Sequence, residues 1–222
     1  MRAAVVLFPG LNADAELIRT LQLAGASVTT VWHADAALPA GTDLVALPGG
    51  FSYGDYLRAG AIAKVGPIMR AVAEHAARGG KVLGVCNGFQ ILTECGLLPG
   101  ALTRNVSRRF ECGDVYVKAM VDGPFSPGAG KVLRLPIAHG EGRYQASPEL
   151  LARLADEGRV AFTYCTPEGE VTEAANPNGS AGSVAGVYGG PNRNVLGLMP
   201  HPERMSEDCL GGKDGLAIFV AA

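Results

Sequence analysis

With 222 residues, 48% apolar and 18% charged, the chain is sized for one domain with a substantial buried core and is too apolar to remain unfolded. Its 19 Lys and Arg against 21 Asp and Glu leave a net charge of −2, and no basic run offers a surface for nucleic acid or anionic lipid. No apolar stretch approaches the roughly 18 residues of a membrane helix, and Ala3 to Phe8 is too short for a signal peptide, so a cytoplasmic protein without a membrane partner is expected.

Ala3 to Phe8 has the character of a buried strand, closed by Pro9-Gly10, and Asp14 is placed to cap a helix carrying Leu17, Ile18 and Leu21 and ending near Gly25. Ser27 to Trp32 is the next strand, and Leu44 to Leu47 a third, stopped by Pro48-Gly49-Gly50. The Ala-rich stretch from about Ile62 to Arg78 forms a helix ended by Gly79-Gly80. Val82 to Val85 is a fourth apolar run, followed by Cys86-Asn87-Gly88 and a helical Phe89 to Glu94. Alternation of strand and crossover helix implies an α/β fold, a mostly parallel open sheet flanked by helices. The second half changes character. Phe110 to Met120, Val132 to Ile137, Val160 to Tyr164, Ser183 to Val187 and Val195 to Leu198 are additional short strands, and only Pro148 to Leu154 and Asp214 to Val220 look helical. With no internal repeat and no long linker, residues 1–222 are expected to form a single domain.

The cysteines stand at 86, 95, 112, 165 and 209, an odd number without a C-x-x-C pair, so free thiols are expected and neither a disulfide framework nor a metal site. Cys86 differs from the other four in its setting. Gly84-x-Cys86-x-Gly88 follows an apolar strand and opens a helix, the arrangement in which G-x-S-x-G builds a nucleophile elbow, with the helix N-terminus favouring thiolate. The Asn87 amide would then face an oxyanion, and the backbone of Gly50 would supply a second donor, because glycine lets an amide approach a ligand closely.

A cysteine nucleophile needs a base. Of the four histidines, His33 at a strand end and His75 in an Ala-rich helix suit packing or surface roles. His201, in Met199-Pro-His-Pro-Glu203 after the last apolar strand, falls at the carboxyl edge of the sheet, where open α/β folds bind ligands. Pro202 biases it to extended backbone, in which residues two apart share a side, so Glu203 can reach its imidazole and stabilise the cation. A Cys86-His201-Glu203 triad follows. His139, between Ala138 and Gly140, is the rival base or a loop residue near the site.

These motifs resemble those of the class I (triad) glutamine amidotransferases: Gly84-x-Cys86-x-Gly88-x-Gln90, Pro48-Gly-Gly50 and His201-x-Glu203 stand in that family's order. The longer motifs Pro48 to Gly60, Gly84 to Gln90, Ala138 to Gly142 and Met199 to Arg204 are most similar to the small glutaminase subunits of phosphoribosylformylglycinamidine synthase, and the likeness spans nearly the whole chain. Leu11 and Ala13 depart from that pattern, where Ser and Cys are common, and the last helix stops early at Ala222. The resemblance implies one flavodoxin-like glutamine amidotransferase domain that hydrolyses L-glutamine, with Gln90 holding substrate. It also implies partners, a synthetase (large) subunit together with a small accessory subunit, with ATP and Mg on the synthetase and no cofactor on this chain. The loop Phe51 to Gly60, rich in aromatics and arginine, is then a candidate contact with the synthetase. Two rival readings are a free-standing DJ-1-like cysteine hydrolase and a non-catalytic glutamine-binding subunit.

Overall fold

A computed structural model describes residues 1–222. The first half builds β1 (Arg2–Leu7), α1 (Asp14–Leu23), β2 (Ser27–Trp32), β3 (Leu44–Leu47), α2 (Ile68–Ala77), β4 (Lys81–Val85) and α3 (Asn87–Glu94). The second contributes β5 (Ala101–Thr103), β6 (Glu111–Ala119), β7 (Val132–His139), β8 (Arg143–Gln145), α4 (Pro148–Asp156), β9 (Val160–Cys165), β10 (Val184–Gly189), β11 (Val195–Leu198) and α5 (Leu216–Val220). One nine-stranded sheet has the order β2-β1-β3-β4-β11-β10-β9-β6-β7.

Strands β2, β1, β3, β4 and β11 run parallel, with Leu47 opposite Gly84 and Val85 opposite Leu198. All four residues of β3 and of β11 are buried, as covered parallel strands require, whereas β2 at the edge exposes Ser27, Thr29, Thr30 and Trp32. The short strands of the second half join this same sheet as an antiparallel wing from β10 to β7. One core of 48 buried residues runs from Val5 and Leu17 through Phe89 to Phe162 and Tyr188, so the two halves are packed as one body. The carboxyl ends of β3, β4 and β11 lie side by side as a result.

Two local expectations are corrected and one small sheet is added. The helix anticipated from Ile62 to Arg78 is broken. Ala63–Val65 is a single 3₁₀ turn, and Gly66, preceding Pro67, takes ψ 136°, because proline drives its predecessor out of helical backbone. Asp14 lies inside the first turn of α1; the cap position is Ala13, with no side-chain cap, and its N–H is directed at Gly49 O, 3.3 Å away. The pair β5 and β8, three residues each, is too short to show a period and went unforeseen.

Candidate active site

Cys86 joins β4 to α3 with φ +51° and ψ −104°, a conformation that L-residues avoid and that costs on the order of 1–3 kcal/mol. The flanking glycines make it sterically attainable. A Cβ on Gly84 would lie 2.6 Å from the Gly88 backbone, and one on Gly88 would lie 2.1 Å from the Leu47 carbonyl oxygen. The elbow is anchored by the Cys86 N–H, which donates to Leu198 O at 2.8 Å, and the thiol points at Ala138 O, 3.8 Å away.

His201 and Glu203 are brought to the same edge, though by a different backbone from the extended one anticipated. Pro202–Arg204 is a 3₁₀ turn, its register held by the His201 N–H donating to Pro136 O on β7 at 2.8 Å. The turn places His201 Nδ1 2.6 Å from Glu203 Oε1, with both side chains almost wholly buried. The carbonyl of Glu203 accepts from the hydroxyls of Thr20 on α1 and of Ser206, at 3.2 and 3.1 Å. Burial disfavours the His201 cation, but the Glu203 carboxylate and the neighbouring Cys86 sulfur outweigh it and raise its pKa to about 10. With Nδ1 committed to Glu203, Nε2 has no hydrogen-bond partner and is the atom left to move a proton.

Gly50, at φ +140°, faces Leu11 across a bridge whose closeness no side chain would permit: its Cβ would fall 2.6 Å from Leu11 Cα. The carbonyl of Gly49 is turned toward the N–H groups of Asn12 and Ala13, at 3.4 and 3.3 Å, while the Gly50 N–H has no protein acceptor. The Asn87 N–H, in the first turn of α3, belongs to those a helix leaves without an internal partner. Leu11 and Ala13 touch this turn through backbone atoms, the Leu11 bridge to Gly50 and the Ala13 N–H toward Gly49 O. Gly49 is as constrained as Gly50, which composition did not reveal, since its Cβ would lie 2.6 Å from His201 Cε1 and 3.4 Å from Cys86 Cβ. Replacing Gly49 with Ala is expected to displace the imidazole and lower glutaminase turnover by about 10²-fold, given the sensitivity of reacting groups to shifts near 1 Å. Steady-state kinetics alongside a thermal melt separate this from unfolding.

The cleft above Cys86 has a volume of about 220 Å³ and is bordered by Gly50, Asp55, Gln90, His139 and Glu141 and by three arginines, 104, 108 and 109. The arginines and Glu141 were not singled out in the sequence, because they reach the cleft from the turn after β5 and from the end of β7. Gln90 lies there, but both ends of its carboxamide are engaged, donating to Glu141 O at 2.7 Å and accepting from Asn87 Nδ2 at 2.9 Å. Asp55, half-buried and beside Glu141, is raised to about 6, first by burial and then by that second carboxylate. His139 is buried, and burial together with the charge of nearby His201 lowers it to about 4, a poor value for a base working near neutrality. His33 packs elsewhere against Phe8 and accepts or donates at Tyr53 OH, 2.7 Å away, and His75 is a buried residue of α2. Cys95 and Cys165 are partly to fully buried thiols, raised by burial, and Cys112 and Cys209 are exposed and do not line the cleft.

A nucleophile elbow at the carboxyl edge of a parallel sheet, a buried His-Glu pair and the unpartnered N–H groups of Gly50 and Asn87 next to the elbow have the layout of a triad amidotransferase. Residues 1–210 match the CobB/CobQ-like glutamine amidotransferase domain, and the chain belongs to that family. It is 56% identical to the phosphoribosylformylglycinamidine synthase subunit PurQ of Bradyrhizobium diazoefficiens, over 99% of this chain and 96% of that one. The subunit PurQ of Cereibacter sphaeroides is 55% identical over 100% and 96%. Among solved structures, PurLQS from Thermotoga maritima superposes with a TM-score of 0.86 at 39% identity, covering 99% of this chain and 96% of that one. A glutamine amidotransferase from the same organism, at 19% identity and a TM-score of 0.58 over 91% of this chain and 76% of that one, shares the fold.

Proposed function

We propose that this chain is the glutaminase subunit of phosphoribosylformylglycinamidine synthase, a cytoplasmic enzyme of purine biosynthesis. In this role it releases ammonia from L-glutamine for a synthetase subunit that uses ATP and Mg to convert formylglycinamide ribonucleotide to the amidine. The observation carrying this reading is the convergence, at one edge of the sheet, of the Cys86 elbow, the His201-Glu203 pair at 2.6 Å and the unpartnered Gly50 N–H. Cys86 Sγ attacks the side-chain amide carbon of glutamine, and the carbonyl oxygen takes up the negative charge within reach of the Gly50 and Asn87 N–H groups. His201 Nε2 gives its proton to the amide nitrogen, the C–N bond breaks, and ammonia leaves a thioester on Cys86. Water, losing a proton to His201 Nε2, then attacks the thioester carbon and expels the sulfur as glutamate forms. Gln90 orients Asn87 through one of its two internal bonds and keeps a second N–H and a second oxygen lone pair with which to contact the substrate. Iodoacetamide labelling of Cys86, blocked by glutamine and accompanied by loss of glutamine hydrolysis, tests the assignment. Full glutamine hydrolysis by protein labelled at Cys86 would remove Cys86 as the nucleophile.

Coupling to the synthetase falls to the loop after Gly50. Tyr56 and Leu57 at its tip are 74% and 92% exposed, whereas Tyr53 is turned inward against His33 and Arg58 is held by both oxygens of Glu94 at 2.6 Å. The base of the loop is tied to the elbow, for the Ser52 N–H donates to Asn87 Oδ1 at 3.1 Å. A partner seated on Tyr56 and Leu57, with a small accessory subunit completing the assembly, thereby acts on both oxyanion amides. The lone chain is expected to hydrolyse glutamine slowly, and Leu57→Asp to leave that rate unchanged while reducing activation by the synthetase about 30-fold or more, as loss of an interface anchor does. Titration of glutaminase rate against added synthetase measures this, and undiminished activation would remove the loop from the coupling path.

A further inference from the structure

His139 Nδ1 lies 3.2 Å from Oδ1 of Asn105, and the remaining bonds of that amide decide which atom carries the proton. Asn105 Nδ2 is 2.9 Å from the carbonyl of Arg109 and 2.8 Å from that of His139, groups that only accept. Asn105 Oδ1 already receives the Gly142 N–H at 3.0 Å. The oxygen is therefore an acceptor and His139 Nδ1 the donor, and a neutral imidazole protonated at Nδ1 has a bare lone pair at Nε2. Turning the buried Asn105 amide over would set its oxygen against the carbonyls of Arg109 and His139, and the imidazole packs in the space that a side chain at Gly142 would fill.

Nε2 is thus a buried acceptor with no donor in the protein, on a residue 3% exposed in the wall of the cleft that holds Cys86. An unmet buried group of this kind is costly, and one on a residue that lines a cleft can be met by a ligand bound there. A second proton on the ring is no remedy, because burial and the charge of His201 hold the imidazole neutral at physiological pH.

We propose that His139 Nε2 accepts an N–H of the substrate's side-chain carboxamide and thereby sets the preference for an amide over a carboxylate. This rests on the glutaminase reading. A primary amide offers one acceptor oxygen and two N–H donors. The oxygen is met by the Gly50 and Asn87 amides, and the NH₂ group needs acceptors near His201, the proton donor to its nitrogen. Ala138 O faces the thiol; His139 Nε2 is the free acceptor. A product carboxylate has only lone pairs to present and sets oxygen against nitrogen lone pair, so the same atom that helps bind glutamine helps expel glutamate. Asn105 is a positioning residue in this arrangement, acting through the tautomer of His139.

The test uses the chain assembled with its synthetase, measuring kcat/KM for glutamine and the inhibition constant of glutamate for two variants. His139→Leu is expected to lose about 10- to 100-fold in kcat/KM for glutamine without weakening glutamate inhibition, so the preference between the two falls. His139→Gln, whose carboxamide can turn either its oxygen or its NH₂ to the ligand, is expected to keep glutamine turnover within a few-fold of wild type while glutamate inhibits about tenfold more tightly. The second signature is one that a merely structural role for His139 would not produce, and it stands even if the leucine variant fails to fold. Equal losses for glutamine and glutamate, or unchanged glutamate inhibition in His139→Gln, would overturn the proposal. Glutamine hydrolysis surviving in Cys86→Ala would instead overturn the glutaminase reading beneath it.

Discussion

Replacing Cys86 with Ala is expected to abolish glutamine-dependent synthesis by the assembled enzyme, by at least about 10³-fold, and to leave synthesis from added ammonium salt intact. Removal of a covalent nucleophile removes the thioester route altogether, whereas the ligation chemistry belongs to the synthetase. Structure supplies a control for folding. Cys86 holds φ +51°, so Cys86→Gly removes the thiol and relieves the backbone at once. That variant is expected to be as inactive with glutamine as Cys86→Ala yet to melt higher, by the few degrees that correspond to about 1 kcal/mol or more of released strain. Activity from both nitrogen sources, with glutamine and with ammonium, distinguishes the outcomes. Equal loss with both sources would show that the two reactions are not divided between chains, and a lower melting temperature in Cys86→Gly would mean the elbow stores no strain.

His201→Asn is expected to cut glutamine hydrolysis by at least about 100-fold, well beyond His139→Asn, because it removes both the proton donor to the leaving nitrogen and the base that activates water. Glu203→Gln should fall between the two. Its amide keeps an acceptor for Nδ1 but loses the charge that, after burial, is the largest influence on the imidazole. The pH dependence carries a definite sign. With its pKa raised to about 10, His201 stays protonated through neutrality, and the acid function is lost as pH rises through that value. Removing the Glu203 charge lowers the pKa, so the alkaline limb of the kcat profile moves to lower pH in Glu203→Gln. The same raised value makes the buried pair a stabilising element below the ordinary histidine pKa, one that weakens as pH rises toward about 10. Profiles of kcat against pH for wild type and both variants decide the matter. A reversed order of His201 and His139 would displace His201 as the base, and an alkaline limb that does not move would displace Glu203 from the triad.

What the sequence by itself determined is local and periodic. The apolar runs of β1, β3, β4 and β11 have the length and residue types of buried parallel strands, and the Gly84-Cys86-Gly88 spacing after one of them has few other structural meanings. Pro202 beside His201 kept Glu203 within reach of the imidazole even though the turn proved to be 3₁₀ rather than extended, because both backbones leave residues two apart close together. The tertiary structure decided everything that depends on long-range approach. That Gly49, and not only Gly50, must lack a side chain follows from the imidazole of His201, far along the chain; that Asn105 sets the tautomer of His139 follows from the turn after β5 folding over the end of β7. The pKa values of His139 and His201 diverge, to about 4 and about 10, although both are buried histidines at strand ends. Glu203 is hydrogen-bonded directly to His201, whereas Glu111 opposite His139 counts for less than burial and the charge of His201, and such distances in space are not encoded by spacing along the chain.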